Sequence, residues 1–246
     1  MVLHATPSIG RGLMTRARID LFFDCVSPYT HFSLSSWTRY ADAWPVTLKP
    51  RPFFLGGVMK ATGNKPPAVL APKAKFMAED LRRSANLYDV PYLDLPDNFF
   101  SPELQKSAMG VARLLCAAEL AQVGDAKLLE LAVSASMCMH ADQAFRNGGE
   151  LTIDDRLLHA ACSRANLDGS SLVVDATSSD SVKEALRANT EEGVARGAFG
   201  SPTAFVFSPA AAHGAESEAI FFGSDRMEQL AHHLSLPYLG PAPTRE

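Results

Sequence analysis

Cysteine is scarce in this 246-residue chain. Cys25, Cys116, Cys138 and Cys162 lie far apart, with no C-x-x-C pair and no histidine at metal-ligand spacing. That argues against a disulfide framework, which belongs to short secreted chains, and leaves a zinc site without a pattern. A reducing compartment is the expectation. Long apolar runs are missing too, and none approaches the ~20 residues that cross a bilayer. There is no basic surplus, with 23 Lys+Arg against 27 Asp+Glu, so nucleic acid finds no electrostatic footprint. Repeats and low-complexity tracts are absent. With 47% hydrophobic and 20% charged residues, the composition is that of a soluble globular protein with a full core. The length fits one large domain, or one domain carrying an insertion.

Residues 1–19 hold Arg11, Arg16 and Arg18 and no acid. They lack the apolar stretch of a secretory signal. An acid-free, Arg-bearing leader with Thr and Ser fits a mitochondrial presequence, or else a disordered tail. The C-terminal Thr-Arg-Glu is not a peroxisomal S-K-L address.

The run 19–23 (IDLFF) has strand length and ends at polar Asp24. Ser27-Pro28-Tyr29 follows, then no Gly or Pro until past Trp44. Ser at a cap and Pro in the first turn start a helix well, because Pro gives up an N–H that has no partner there. A second strand is expected over 46–51. The middle reads as helices: 73–88 with Met77, Leu81, Ser84 and Tyr88 on one face, 104–122, and a stripe of Leu129, Val133, Met137, Ala141 and Phe145. Thr152-x-x-Asp155 suggests a capping box opening a helix over 156–165, and another helix is expected over 181–196. After Ser201-Pro202, the runs 203–207 and 219–222 read as a hairpin with a long turn. A last helix is expected from Gly223-Ser224-Asp225 to about Ser235, with His232 and His233 in its final turn. The layout is β-α-β, a block of helices, then α-β-β-α: one α/β unit split by a helical insertion.

Two features carry chemistry. Ser27-Pro28-Tyr29-Thr30 sits at a strand-to-helix junction, where free N–H groups and the helix dipole favour an anion. Ser201-Pro202 immediately precedes a strand. Cys25, two residues before Ser27, is expected to end the first strand, and Cys116 and Cys162 to be buried, inert thiols. His31 lies one helical turn beyond Ser27 and reads as a surface or packing residue. Phe53, Phe54 and Met59 could line a site for an aromatic or acyl group, or equally belong to the core.

This order of elements resembles the thioredoxin-like fold of bacterial disulfide oxidoreductases. Their C-P-x-C corresponds to Ser27-Pro28-Tyr29-Thr30, with both cysteines replaced, which removes dithiol chemistry from this site. More closely, FFDCVSPYTHFSL, LKPRPFFLGGVMKATGNKPPAVLAPK, GAFGSPTAFVF and FFGSDRMEQLAHHLSLPYLGP are similar to the kappa-class glutathione transferases, over about 19–241. The 2-hydroxychromene-2-carboxylate isomerases are a sister family, and G-N-K-P-P with L-P-Y-L-G-P fits kappa better. The resemblance implies an α/β thioredoxin-like domain (19–65 and 180–241), an inserted all-helical domain (66–179), and a leader or tail over 1–18.

It also implies roles. Ser27 would donate its hydroxyl to the glutathione sulfur, with Pro28 and Tyr29 lining the same turn. Asn64, with Lys65, would reach the glycyl end. Ser201 and a cis-Pro202 would offer backbone to the cysteinyl part. Family members often carry Leu at position 201, so the Ser201 side chain is expected to be idle. Ser224 and Asp225 would hold the γ-glutamyl end. On residues alone, Asn64 could be a turn residue tolerating positive φ, and Ser224-Asp225 a helix cap. The expectation is a homodimeric glutathione transferase acting on a small hydrophobic electrophile, with glutathione as co-substrate and no metal, nucleic acid or membrane partner. Mitochondrial location is expected, with cytoplasmic or peroxisomal location as the alternatives. A glutathione-dependent isomerase and a non-catalytic thioredoxin-like binder are the rival functions.

Overall fold

The computed structural model describes residues 16–208 and 218–242. The leader up to position 15, most of the 203–222 hairpin turn and the last four residues lie outside the described residues. In chain order the elements are β1 (Ala17–Phe23), α1 (Pro28–Ala43), β2 (Val46–Pro52) and α2 (Leu55–Thr62), then α3 (Ala71–Tyr88), α4 (Pro102–Leu120) and α5 (Asp125–His140). A two-residue hairpin of β3 (Arg146–Asn147) and β4 (Glu150–Leu151) leads into α6 (Asp155–Arg164), α7 (Gly169–Ser178) and α8 (Asp180–Ala195). β5 (Thr203–Phe207), β6 (Glu218–Phe222) and α9 (Met227–Leu234) close the chain.

The main sheet has the order β2-β1-β5-β6. β1 runs parallel to β2 and antiparallel to β5, and β5 and β6 pair antiparallel with Thr203 opposite Phe222. Both faces of the sheet are covered, and the period of two along β1 divides its side chains between them. Ile19, Leu21 and Phe23 join the large core that α1, α4 and α5 also fill. Phe22 turns the other way, onto Phe53, Phe205 and Val58. α8 lies against this second face at Gly193, where an added Cβ would sit 3.1 Å from the Phe22 ring and 3.2 Å from Phe53. No larger residue allows that approach without moving the rings. Asp20 is buried within β1 and held by Arg18 and by Arg196, whose guanidinium also stacks 4.0 Å from the centre of the Phe205 ring.

Several expectations need correction. β1 starts at Ala17, so Arg18 belongs to the sheet and not to the leader. It ends at Phe23, leaving Cys25 in the following turn. The stripe running to Phe145 breaks at His140, and Phe145 lies in a separate 3-10 turn that the Asp142 carboxylate opens. α6 is capped by Asp154, whose carboxylate accepts the Leu157 N–H, and not by Thr152. α9 starts after Arg226, so Ser224 and Asp225 lie in the turn before it. α2 and α7 were not expected from the pattern.

Candidate active site

The turn between β1 and α1 meets the loop before β5 at the floor of a cleft of about 770 Å³. Ser27 is the cap of α1, accepting the Thr30 N–H at 3.4 Å, and its hydroxyl donates to the Ser201 carbonyl at 3.2 Å. The Ser201–Pro202 peptide is cis. Ser27, Pro28, Tyr29, Asn64, Lys65, Ser201, Ser224 and Asp225 all line this cleft. Pro202 stands just behind it, and its carbonyl accepts the Gly223 N–H at 3.0 Å, which ties the loop before β5 to the turn before α9.

Three groups around Ser27 are fixed by partners distant in the chain. The Ser201 hydroxyl, far from idle, accepts the Asp24 N–H at 2.8 Å and pairs with the buried Thr30 hydroxyl at 2.8 Å. The Asp24 carboxylate, itself buried, accepts the Val26 N–H at 3.0 Å and the Leu55 N–H at 2.8 Å. It thus ends the β1 turn and starts α2 at once. Burial raises its pKa to about 6, against the opposing pull of the two amides. Tyr29 donates its hydroxyl to Asp80 at 2.9 Å, and burial with that carboxylate alongside pushes the phenol well above its ordinary range. The tyrosine is therefore a neutral donor committed to a carboxylate, whereas the Ser27 hydroxyl at the helix start donates to a neutral carbonyl.

Gly63 takes the positive φ (76°) that ends α2, so Asn64 need not. Asn64 donates to the Phe199 carbonyl at 2.6 Å and accepts the Lys65 N–H, lashing this loop to the one before β5. Across the cleft, the Ser224 carbonyl accepts the Tyr88 hydroxyl at 3.1 Å. The Asp225 carboxylate is 61% exposed, with Arg226 3.4 Å away. α3 supplies apolar wall through Met77 and Leu87, and the segment between α3 and α4 through Phe99 and Phe100. Of the three apolar candidates, only Met59 lines this cleft, since Phe53 is core and Phe54 faces elsewhere. Lys73, which the sequence reading missed, adds a cation to the wall.

Two buried groups are not in the cleft. The Cys25 thiol points at the Ala132 carbonyl (3.6 Å), and burial pushes its pKa well up, which removes it as a nucleophile. His31 is neither a surface residue nor a cleft residue. Its Nε2 donates to the Pro91 carbonyl (2.8 Å), its Nδ1 accepts from Ser136, and its ring lies 5.4 Å from that of His140, whose Nε2 donates to the Cys25 carbonyl. No group of three or more metal-ligating side chains occurs among the described residues.

The DSBA-like thioredoxin domain family matches residues 18–235. Glutathione S-transferase kappa 1 of Homo sapiens is 31% identical over 227 residues, covering 92% of this chain and 94% of that protein. The chain belongs to the kappa class of glutathione S-transferases. The 2-hydroxychromene-2-carboxylate isomerase of Sphingobium xenophagum is 28% identical to this kappa-class chain over 221 residues, 88% of the chain and 97% of the isomerase. A solved isomerase of that name shares the kappa-class fold, with a TM-score of 0.69 over 89% of this chain and 94% of its own, at 19% identity. Within the Ser27-Pro28-Tyr29-Thr30 turn, this kappa-class chain places Ser27 in the cleft and buries Thr30 against Ser201.

Proposed function

We propose that the chain conjugates glutathione to small hydrophobic electrophiles, with Ser27 holding the glutathione sulfur as a thiolate. The observation that carries this reading is the Ser27 hydroxyl at the start of the 16-residue helix α1, on the floor of the cleft. A thiolate there meets a hydroxyl donor and the positive end of the helix dipole, which lower its pKa and keep it reactive at neutral pH. The proton of Ser27 turns from the Ser201 carbonyl to the sulfur, since a bond to an ionised acceptor is about twice as strong as a neutral one. Ser201 and Pro202 flank the cysteinyl part, Lys65 and Lys73 with Asn64 receive the glycyl carboxylate, and Ser224 with Asp225 receives the γ-glutamyl end. The electrophile sits against Met77, Phe99 and Phe100, a wall suited to an aromatic or acyl group.

As the thiolate attacks, its negative charge moves to the leaving group, and the sulfur no longer needs the Ser27 donor when the thioether forms. Isomerisation uses the same thiolate but returns it: the sulfur adds to an unsaturated carboxylate and leaves again. The two reactions separate on consumption of glutathione. Incubation with an aryl halide should consume one glutathione per product, whereas catalysis on a 2-hydroxychromene-2-carboxylate without glutathione loss would favour the isomerase. A plain binding module would give no heat on titration with glutathione. Mitochondrial location is proposed on the acid-free stretch 1–16 with its Arg11 and Arg16, and a homodimer on the exposed apolar residues Val69, Leu70 and Phe76 ahead of and along α3.

A further inference from the structure

A second cleft, of about 480 Å³, opens between α2, α4 and α8 and shares no lining residue with the first. α2 is the wall between the two: Leu55, Gly56 and Met59 face the first cleft, Gly57 and Ala61 the second. The interior of the second is apolar, built from Phe54, Met109, Leu186 and Val194. Three cations line it and their situations differ. Lys183 is paired with Asp180, and Arg187 with Glu184 and Glu191. Arg113, part-buried on α4, has no hydrogen bond and no ion pair among the described residues, and its Nε is fully buried without a partner.

Arg51, Arg146 and Arg196 also bury one unbonded guanidinium nitrogen, but each holds a partner through another nitrogen, and Arg113 does not. Arg113 lines an apolar cleft of small-molecule size, where an anionic head could meet its guanidinium. Arg113 is the one cation of the three without a carboxylate partner among the described residues, so it can receive one anionic head, and Glu191 on the same wall would repel a second. The walls call for an apolar body and the guanidinium for a planar, two-oxygen head, which a carboxylate supplies in fork-to-fork geometry.

We propose that this second cleft binds a monocarboxylate with an apolar chain or ring, its head on Arg113 and its body against Phe54, Met109, Leu186 and Val194. The site is separate from the glutathione reading and does not depend on it.

Calorimetric titration of the full chain with decanoate tests this. Wild type should bind one equivalent, and Arg113→Met, which keeps the apolar stem, should bind about ten- to a hundred-fold more weakly, the loss expected for one charged hydrogen-bonded contact. Lys73→Met, in the other cleft, should bind decanoate as wild type does. Ala61→Glu, which adds a carboxylate at an exposed position of the second cleft, should weaken binding even if Arg113→Met folds poorly. The proposal is overturned if wild type takes up no decanoate, if Arg113→Met and Ala61→Glu bind it normally, or if Lys73→Met abolishes it. It is equally overturned if Arg113→Met dissociates a dimer in sedimentation, which would make the cleft a contact between two copies of the chain.

Discussion

The Ser27 hydroxyl donates to the carbonyl of Ser201, 174 residues later in the chain, at 3.2 Å. This bond ties the turn before α1 to the loop before β5 and fixes the hydroxyl at the start of α1. Ser27→Ala should therefore retain the fold and most of the glutathione affinity while kcat falls about 10²–10³-fold, the usual cost of losing one oriented donor to an anion. Steady-state kinetics on the purified variant check it. Unchanged kcat would move the thiolate's partner to another residue.

Ser201 acts through its side chain as well as its carbonyl. Ser201→Ala strips the buried Asp24 N–H and the buried Thr30 hydroxyl of a shared partner. The expected loss is about 1–3 kcal/mol of stability, the price of an unsatisfied buried donor. A chemical denaturation midpoint equal to wild type would mean that the two groups find other partners.

Asp225 is proposed to receive the γ-glutamyl ammonium. Its carboxylate is 61% exposed and already faces Arg226, so solvent and that neighbour both dilute the contact. Asp225→Asn should raise the glutathione KM by about five-fold, at the level of ~1 kcal/mol, and leave kcat nearly intact because the contact is equal in ground and transition states. A glutathione analogue without the α-amino group should bind wild type weakly and lose little more in the variant. Full discrimination by the Asn variant would place the ammonium elsewhere.

Acid should weaken the fold through His31 and His140. Burial lowers their pKa values to about 4 and about 3, from an ordinary 6.5. Their neutral forms contribute stability that is fully present above pH 6.5 and is lost as pH falls toward the folded values. Asp24 opposes them, since its pKa is raised to about 6 and the folded chain binds that proton first. Between about pH 6 and pH 4 the unfolded chain binds two histidine protons against one on folded Asp24. The net is one proton, so stability should fall by roughly 1 kcal/mol per pH unit on acidification. Urea unfolding at intervals across that range measures the slope, and a flat or rising stability would contradict the buried, neutral pair.

The parts of this fold written in local sequence were legible. An apolar run followed by Ser27-Pro28 announces β1 and α1, and the run 203–207 marks β5 to the residue. The elements missed contain poor helix formers, and α2 also starts on a distant partner. α2 contains Gly56-Gly57, poor helix formers, and starts on the Asp24 carboxylate 31 residues earlier. α7 opens on Gly169-Ser170-Ser171 and depends on the Asp168 cap. The same holds in the cleft. Ser27, Ser201-Pro202 and Ser224-Asp225 could be named from motifs, whereas the Asp24–Ser201–Thr30 links and the Lys73 wall exist only once strands and helices have been brought together.

The proposed chemistry turns on the state of the glutathione sulfur beside Ser27. Ultraviolet absorbance of the glutathione complex against pH reports the thiolate itself. A free thiol titrates near 8.5. In the wild-type complex the midpoint should lie at least about one unit lower, and in Ser27→Ala it should move back toward the free value. A wild-type midpoint at the free value, or one that Ser27→Ala leaves in place, would contradict thiolate stabilisation by Ser27.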